Sequence, residues 1–251
     1  MKRALLILLA ACMLLGCAMF TGCGEKEKDV LVMGTNAYFQ PYEYYDGDKI
    51  VGIDAEIAEK IAEKLNMTLK IEDMEFDTLL NAVENGSIDF AMAGMTVTDK
   101  RLLQVNFSTS YATGVQSIIV KEDSAITKAD DLFADGAAFK VGVQLGTTGD
   151  IYASGDFKDT GVTVTQYPNG NNAVAALLAG DLDCVIIDNE PAKAFVNANE
   201  GLKILDTAYA DEDYAIAVNK ENTELLEKIN KAIDELIKDG TVDSIINKYI
   251  K

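Results

Sequence analysis

Apolar and polar positions along this chain follow two periods, and the switches between them divide it into strands and helices. DVLVMGT, starting at Asp29, is a short apolar run that predicts a buried strand. QPYEYYDGDKIVG predicts a turn and a hairpin, with Pro41 and Asp46-Gly47 as breakers. In IDAEIAEKIAEKLN, Ile53, Ile57, Ile61 and Leu65 recur every four residues, joined by Ala58 and Ala62, with Glu and Lys opposite. That is one apolar stripe on a helix. MTLKIEDM alternates as a strand, DTLLNAVENG reads as a short helix ending at Gly86, and IDFAMAG as a buried strand. A second series repeats this order: FKVGVQLG a strand, TTGDIYASG a helix start, GVTVTQY a strand, NNAVAALLAG a helix and LDCVIID a strand. Two comparable α/β lobes follow from the repetition. At the end, DYAIAVNK predicts a strand. TELLEKINKAIDELIKDG predicts a helix with Leu225, Leu226, Ile229, Ile233 and Leu236 on one face and Gly240 as its stop. VDSIINKY predicts a final short helix capped by Thr241.

Ahead of Asp29 the pattern changes. Lys2 and Arg3 precede the apolar run ALLILLAACMLLGCAMF, and TGCG follows. This is the layout of a secretory signal with a lipoprotein-type end. The run approaches the length of a membrane-spanning helix, so a retained anchor is the competing reading. The polar stretch EKEKD directly after Gly24 favours cleavage, with residues 1–22 as signal peptide, Cys23 as the lipidated residue and 23–28 as its tether. Cys17, ending LLGC, is a rival site, and Phe20 stands three residues before Cys23, where leucine is usual.

Of the four cysteines only Cys184 lies in the body of the chain, so no internal disulfide is available and the core must hold the fold. Within CVII, Cys184 reads as a small inert hydrophobe. The formal net charge is −19, and loss of a leader carrying Lys2 and Arg3 makes it more negative still. Nucleic acid and anionic lipid headgroups are poor partners for such a surface. The chain has no histidine, which removes the commonest general base and metal ligand. Nothing in the sequence calls for a cofactor or a metal.

The segments GTNAYFQPYEYYDGDKIVGIDAEIAEKIAEKL, FDTLLNAVENGSIDFAMAGMTVTDKR, VNFSTSY, VGVQLGTTGD, AGDLDCVIIDNEPA and DYAIAV, in this order and spacing, resemble the extracellular solute-binding proteins of the polar-amino-acid class, which feed ABC importers. Gly52-Ile53-Asp54-Ala55-Glu56 matches the class signature after the first hairpin, with Ala55 where an aliphatic residue is usual. The resemblance implies a two-lobed clamshell of the periplasmic-binding-protein type. Each lobe is a mixed, mostly parallel sheet flanked by helices, and two crossover hinge strands join them. Lobe one would hold residues 29–115 plus 212–251 and lobe two residues 116–211. The expected partners are a free L-amino acid, a permease with its ATPase, and the membrane through the lipid. The protein would be a monomer on the outer face of the cytoplasmic membrane, with a periplasmic setting as the alternative.

A free amino acid presents a carboxylate and an ammonium, and the site must pair both. By spacing alone, Arg101 in AGMTVTDKR reads equally as a solvated strand-end arginine or as a fork for a carboxylate. The resemblance implies the fork, with the Thr96 hydroxyl and the Gly94 backbone beside it. Gly146-Thr147-Thr148 opens a helix, where free N–H groups suit an anion, although a plain threonine cap explains the same residues. Asp188, at the end of a strand, is implied as the ammonium partner; its other reading is a helix cap before Pro191. Asn36, Phe39 and Phe76 match positions around the ligand side chain, the two aromatics as flat walls or as ordinary core. Gln144 and Glu43 are secondary candidates. The aromatic pair leans toward arginine or another basic amino acid, and Asn36 toward a neutral one such as glutamine or cystine. A dehydratase for cyclohexadienyl acids on the same fold is the enzymatic alternative, with Glu43 the nearest acid in reach.

Overall fold

The computed structural model describes residues 29–206 and 210–250. The leader, Cys23 and the tether fall outside them. Two mixed sheets organise the chain in two lobes. The first runs in the order β5-β1-β6-β14-β7, from β1 (Val30–Thr35), β5 (Thr68–Asp73), β6 (Phe90–Ala91), β7 (Val105–Phe107) and β14 (Ala217–Asn219). β1 pairs in parallel with β5 and β6, and β14 pairs antiparallel with β6 and β7. The second sheet runs β10-β9-β11-β8-β12, from β8 (Ala112–Lys121), β9 (Lys140–Gln144), β10 (Thr163–Tyr167), β11 (Cys184–Asp188) and β12 (Leu202–Ile204). β9 is parallel to β10 and β11, whereas β8 is antiparallel to β11, to β12 and to β13 (Ala210–Tyr214). A small sheet of β2 (Tyr38–Phe39), β3 (Glu43–Asp46) and β4 (Lys49–Val51) forms the hairpin that the breakers predict.

The helices cover the sheets through their apolar stripes. In α1 (Ile53–Leu65), Ile53, Ile57, Ala58, Ile61 and Ala62 are all buried. Gly52 precedes it at φ 127°, and a Cβ there would fall 2.2 Å from the Tyr42 carbonyl oxygen, so only glycine fits. The first sheet also carries α2 (Leu79–Glu84) and α3 (Asp99–Leu102). The second carries α4 (Thr148–Asp156), α5 (Gly170–Ala179) and α6 (Asn189–Ala198). The tail returns as α7 (Thr223–Lys238) and α8 (Thr241–Tyr249), both packed on α1. Leu225, Ile229, Ile233 and Leu236 of α7 are buried, while Leu226 sits at the edge of that face. Gly240 occupies the cap position of α8, and Thr241 is its first helical residue.

DYAIAVNK, read as one strand, is two. It breaks between β13 and β14 because the chain changes sheets there, and the Ala215 N–H turns aside to the Met95 carbonyl. The outward passage lies between β7 and β8, across residues 108–111. The sequence boundaries at 115/116 and 211/212 fall inside β8 and β13, which run side by side with Ala112 opposite Tyr214. Cys184 is fully buried in the second core, and burial pushes its thiol pKa up, away from reactivity.

Candidate functional site

The parallel strands of both sheets end at one cavity, the position where open α/β sheets present polar residues. Asn36 follows β1, Ala93 and Gly94 follow β6, Gln144 closes β9 and Asp188 closes β11. All eleven ligand-site candidates from the sequence line this cavity, namely Asn36, Phe39, Glu43, Phe76, Gly94, Thr96, Arg101, Gln144, Thr147, Thr148 and Asp188, together with Ala93. The cavity is narrow, about 10 Å³, which is room for about one water. It has no room for a molecule of more than a few heavy atoms.

Arg101 is not a solvated strand-end residue. It lies in α3, whose start is capped by Thr98 accepting from the Arg101 N–H at 3.2 Å, and its guanidinium is carried inward to 6% exposure. One nitrogen donates to the Thr96 carbonyl at 2.7 Å, and the other crosses to the Gly146 carbonyl of the second lobe at 3.0 Å. The guanidinium carbon stands 5.4 Å from the centre of the half-buried Phe76 ring. Burial lowers the arginine's pKa, and the charges of Glu212 and Asp188 oppose that shift. A guanidinium stays charged regardless.

Gly94, at φ +51°, has Phe39 packed so closely that a Cβ would lie 2.7 Å from its ring. Its N–H donates to Asp54 at 2.8 Å. Across the cavity, Thr147 caps α4 by accepting from the Asp150 N–H at 3.3 Å, and it donates to the Gln144 carbonyl at 2.8 Å. The cap reading therefore holds for Thr147. The Gly146 N–H is taken by the Asp150 carboxylate at 3.0 Å. The amides of Thr148 and Gly149 lie in the first turn, where a helix offers no carbonyl four residues back. Gln144 reaches over to Asn36, donating at 2.9 Å, while Asn36 donates to the Met74 carbonyl at 2.9 Å.

Asp188 occupies the cap position of α6, but its side chain does not cap. It accepts instead from the Tyr214 hydroxyl. Burial, and next the charge of Glu212, raise its pKa to about 7. Glu212 itself accepts from the Thr96 hydroxyl at 2.9 Å and from the Gln116 amide at 3.1 Å. Gln116, Glu212, Tyr214 and Tyr111 were not foreseen, and Asp54 was quoted only as part of the signature. For Gln116, Glu212 and Tyr214 the one signal is a polar group inside a strand, as in VQSIIV around Gln116.

Five buried acidic residues, Glu43, Asp54, Asp150, Asp188 and Glu212, line the cavity or bond to residues that line it, against one buried guanidinium there. Such a site favours a positively charged guest, because buried charge without a partner is costly. Among the described residues no group of three or more His, Cys, Asp or Glu is placed to hold a metal ion, and no helix is long and apolar enough to cross a membrane.

The sequence model of the bacterial extracellular solute-binding proteins, family 3, matches residues 31–251. The arginine-binding extracellular protein ArtP of Bacillus subtilis strain 168 is 32% identical over 254 residues, covering 99% of this chain and 98% of that one. Among solved structures, an ancestral arginine-binding protein bound to arginine superposes with a TM-score of 0.83 at 41% identity, covering 90% of this chain and 100% of that one. The ancestral amino acid-binding protein AncCDT-1, a precursor of cyclohexadienyl dehydratase, superposes with a TM-score of 0.80 at 29% identity, covering 88% of this chain and 96% of that one.

Proposed function

We propose, from the premise that this chain belongs to the bacterial extracellular solute-binding proteins of family 3, that it captures a basic L-amino acid, arginine first, between its lobes and delivers it to an ABC transporter. The observation that carries the reading is Glu43. It is a fully buried carboxyl on the cavity wall whose two oxygens have no hydrogen-bond donor. A guanidinium or ammonium at the end of the ligand would meet it there. Arg101 would turn its fork from the two carbonyls to the α-carboxylate, with the hydroxyls of Thr96 and Thr148 beside it. Asp188 would take the α-ammonium. Phe39 and Phe76 would flank the ligand's aliphatic stem, and Asn36 and Gln144 would close over it. Lobes spanning 29–115 plus 212–251 and 116–211 would swing about β8 and β13. Closure is favoured only by contacts that the ligand makes better in the closed form.

In this reading the protein is a monomer tethered by lipid on Cys23 to the outer face of the cytoplasmic membrane, near the permease and ATPase that it serves. Cys23→Ser should release it from the membrane fraction; a variant that stays bound would point to lipid on Cys17 or to a retained span. The test of the ligand is a thermal-shift survey of all common L-amino acids and cystine, since a ligand that binds only the native state raises its midpoint. Arginine should give the large shift. Arg101→Lys, which keeps the charge and loses the parallel pair, should weaken it by one to three orders of magnitude at about 1.5–3 kcal/mol per charged hydrogen bond. A full shift in that variant would refute the carboxylate role. A large shift from glutamine or cystine alone would favour the neutral reading that the amides of Asn36 and Gln144 support.

The enzymatic alternative draws on one observation, that burial raises the pKa of Glu43, so that a carboxylic acid lies in the cleft ready to donate a proton. The reading of a binding protein without turnover predicts no product from prephenate or arogenate. Any product would favour the dehydratase.

A further inference from the structure

Glu43 begins β3 and Asp54 lies in the first turn of α1, and both are wholly buried. Asp54 Oδ2 accepts from the Gly94 N–H at 2.8 Å and from the Tyr111 hydroxyl at 2.9 Å. Asp54 Oδ1 and both oxygens of Glu43 have no hydrogen-bond donor, and the Asp54 N–H donates at 2.9 Å to the carbonyl of Tyr42, the residue before Glu43. Two neighbouring buried carboxyls with three oxygens lacking a donor are costly to ionise together, so the pair is expected to hold one proton. The groups around the pair supply no cation. Tyr42 adjoins it in the hairpin, Tyr111 comes from the passage between sheets, Asp73 from β5 and Asp188 from β11. Arg101, the buried cation across the cavity, is bonded to carbonyls.

We propose that Asp54, which does not line the cavity, acts through Glu43 as a positioning residue that couples ligand choice to a proton. The pair keeps its proton when the guest's side chain is neutral, and releases it when the side chain is cationic. The inference rests on the reading that a basic amino acid points its side chain at Glu43. In the step itself the Glu43 O–H proton passes to solvent, and the positive group of the guest takes its place beside the new carboxylate. No bond between heavier atoms changes. The two acids hold the proton unequally. Burial pushes Glu43 well above the usual range, with Asp54's charge adding to it. Burial raises Asp54 only to about 6, because Gly94 and Tyr111 donate to its charged form. Asp54 thus has two donors to its charged form and Glu43 none, which makes Glu43 the protonated member.

Preference for arginine over its uncharged isostere citrulline should then rise with pH, by up to tenfold per unit for a one-proton linkage. Asp188 also titrates near neutrality, but it faces the ammonium common to both ligands, so their difference isolates the pair. The experiment is calorimetric titration of the full chain with arginine and with citrulline, at pH 6 and pH 8, in buffers of different ionisation enthalpy. Arginine should release roughly one proton more than citrulline at pH 6, and citrulline should gain ground as the pH falls. Asp54→Asn, which removes the charge beside Glu43 and offers it an amide donor, should reduce the extra proton and weaken the pH dependence while arginine still binds. Equal proton counts for the two ligands in the unsubstituted protein overturn the inference, whether or not the variant folds. So does citrulline failing to bind at either pH where arginine binds. Absence of arginine binding at both pH values overturns the ligand reading and this inference with it.

Discussion

Asp188→Asn should make the ligand-free protein more stable at pH 8 while removing its ability to bind. Asp188 has an ordinary value of 3.8 when unfolded and about 7 in the fold, where burial and then the charge of Glu212 disfavour its ionised form. The native state thus holds this proton more tightly than the unfolded chain. The resulting stability is fully present below pH 3.8 and is lost as the pH rises through about 7. A difference of about three units, at about 1.4 kcal/mol each, places the cost of the charged Asp188 at pH 8 near 4 kcal/mol. Asparagine cannot ionise, fills the same space and still offers Oδ1 to the Tyr214 hydroxyl. Recovering most of that energy would raise the midpoint of thermal unfolding by roughly 10 °C in a chain of this size. At pH 4 the two proteins should unfold together, because Asp188 is then neutral in the fold. The assay is denaturant or thermal unfolding of both proteins at pH 4, 6 and 8, without and with arginine. Ligand should raise the unsubstituted midpoint at pH 8 and leave the variant unmoved. A variant that is less stable at pH 8, or more stable by the same amount at pH 4, would refute the reasoning, since the effect would then come from shape rather than charge.

Gln144→Ala removes the cross-cavity bond to Asn36. At about 0.5–1.5 kcal/mol for a net hydrogen bond it should weaken ligand binding roughly two- to tenfold by calorimetry and enlarge the radius of gyration seen in scattering; unchanged values for both would show that the bond does not hold the lobes together. Gly114→Ala would place a Cβ 2.2 Å from the Tyr214 hydroxyl oxygen and 2.4 Å from the ring carbon bearing it. Overpacking of this kind costs about 1–3 kcal/mol in denaturant unfolding and should push Tyr214 off Asp188, so a fully stable variant with unaltered affinity would place no weight on that contact.

The fold was legible in the sequence wherever one period ran long enough. The stripe of Ile53, Ile57 and Ile61 specifies α1 because each lies on one face of a 3.6-residue turn and all three are buried. The ends of strands were harder. IDFAMAG yields only the two paired residues Phe90 and Ala91, since the chain then leaves the sheet to form the cavity wall at Gly94. The cavity residues were reachable because their motifs sit in compact runs, with Thr96 and Arg101 in one and Thr147 and Thr148 in another. The layer behind them was not. Asp54, Tyr111, Gln116 and the β13 pair Glu212 and Tyr214 come from different parts of the chain and meet only by folding, as the bond between Tyr111 and Asp54, 57 positions apart, illustrates. No local pattern distinguishes such a residue from a surface one.

The passage between sheets has a further consequence for engineering. The chain leaves the first sheet just before Ala112 and returns just after Tyr214, and these two residues lie opposite each other in the β8–β13 register. Everything between them is one uninterrupted segment with adjoining ends, the arrangement that tolerates insertion and excision. Splicing Tyr111 to Ala215 would leave a half-receptor carrying Asn36, Phe39, Thr96 and Arg101 but neither Thr148 nor Asp188. Such a piece could grip a carboxylate and would be indifferent to the amine. The segment from 112 to 214 is, by the same geometry, a cassette that should be exchangeable with that of a related protein.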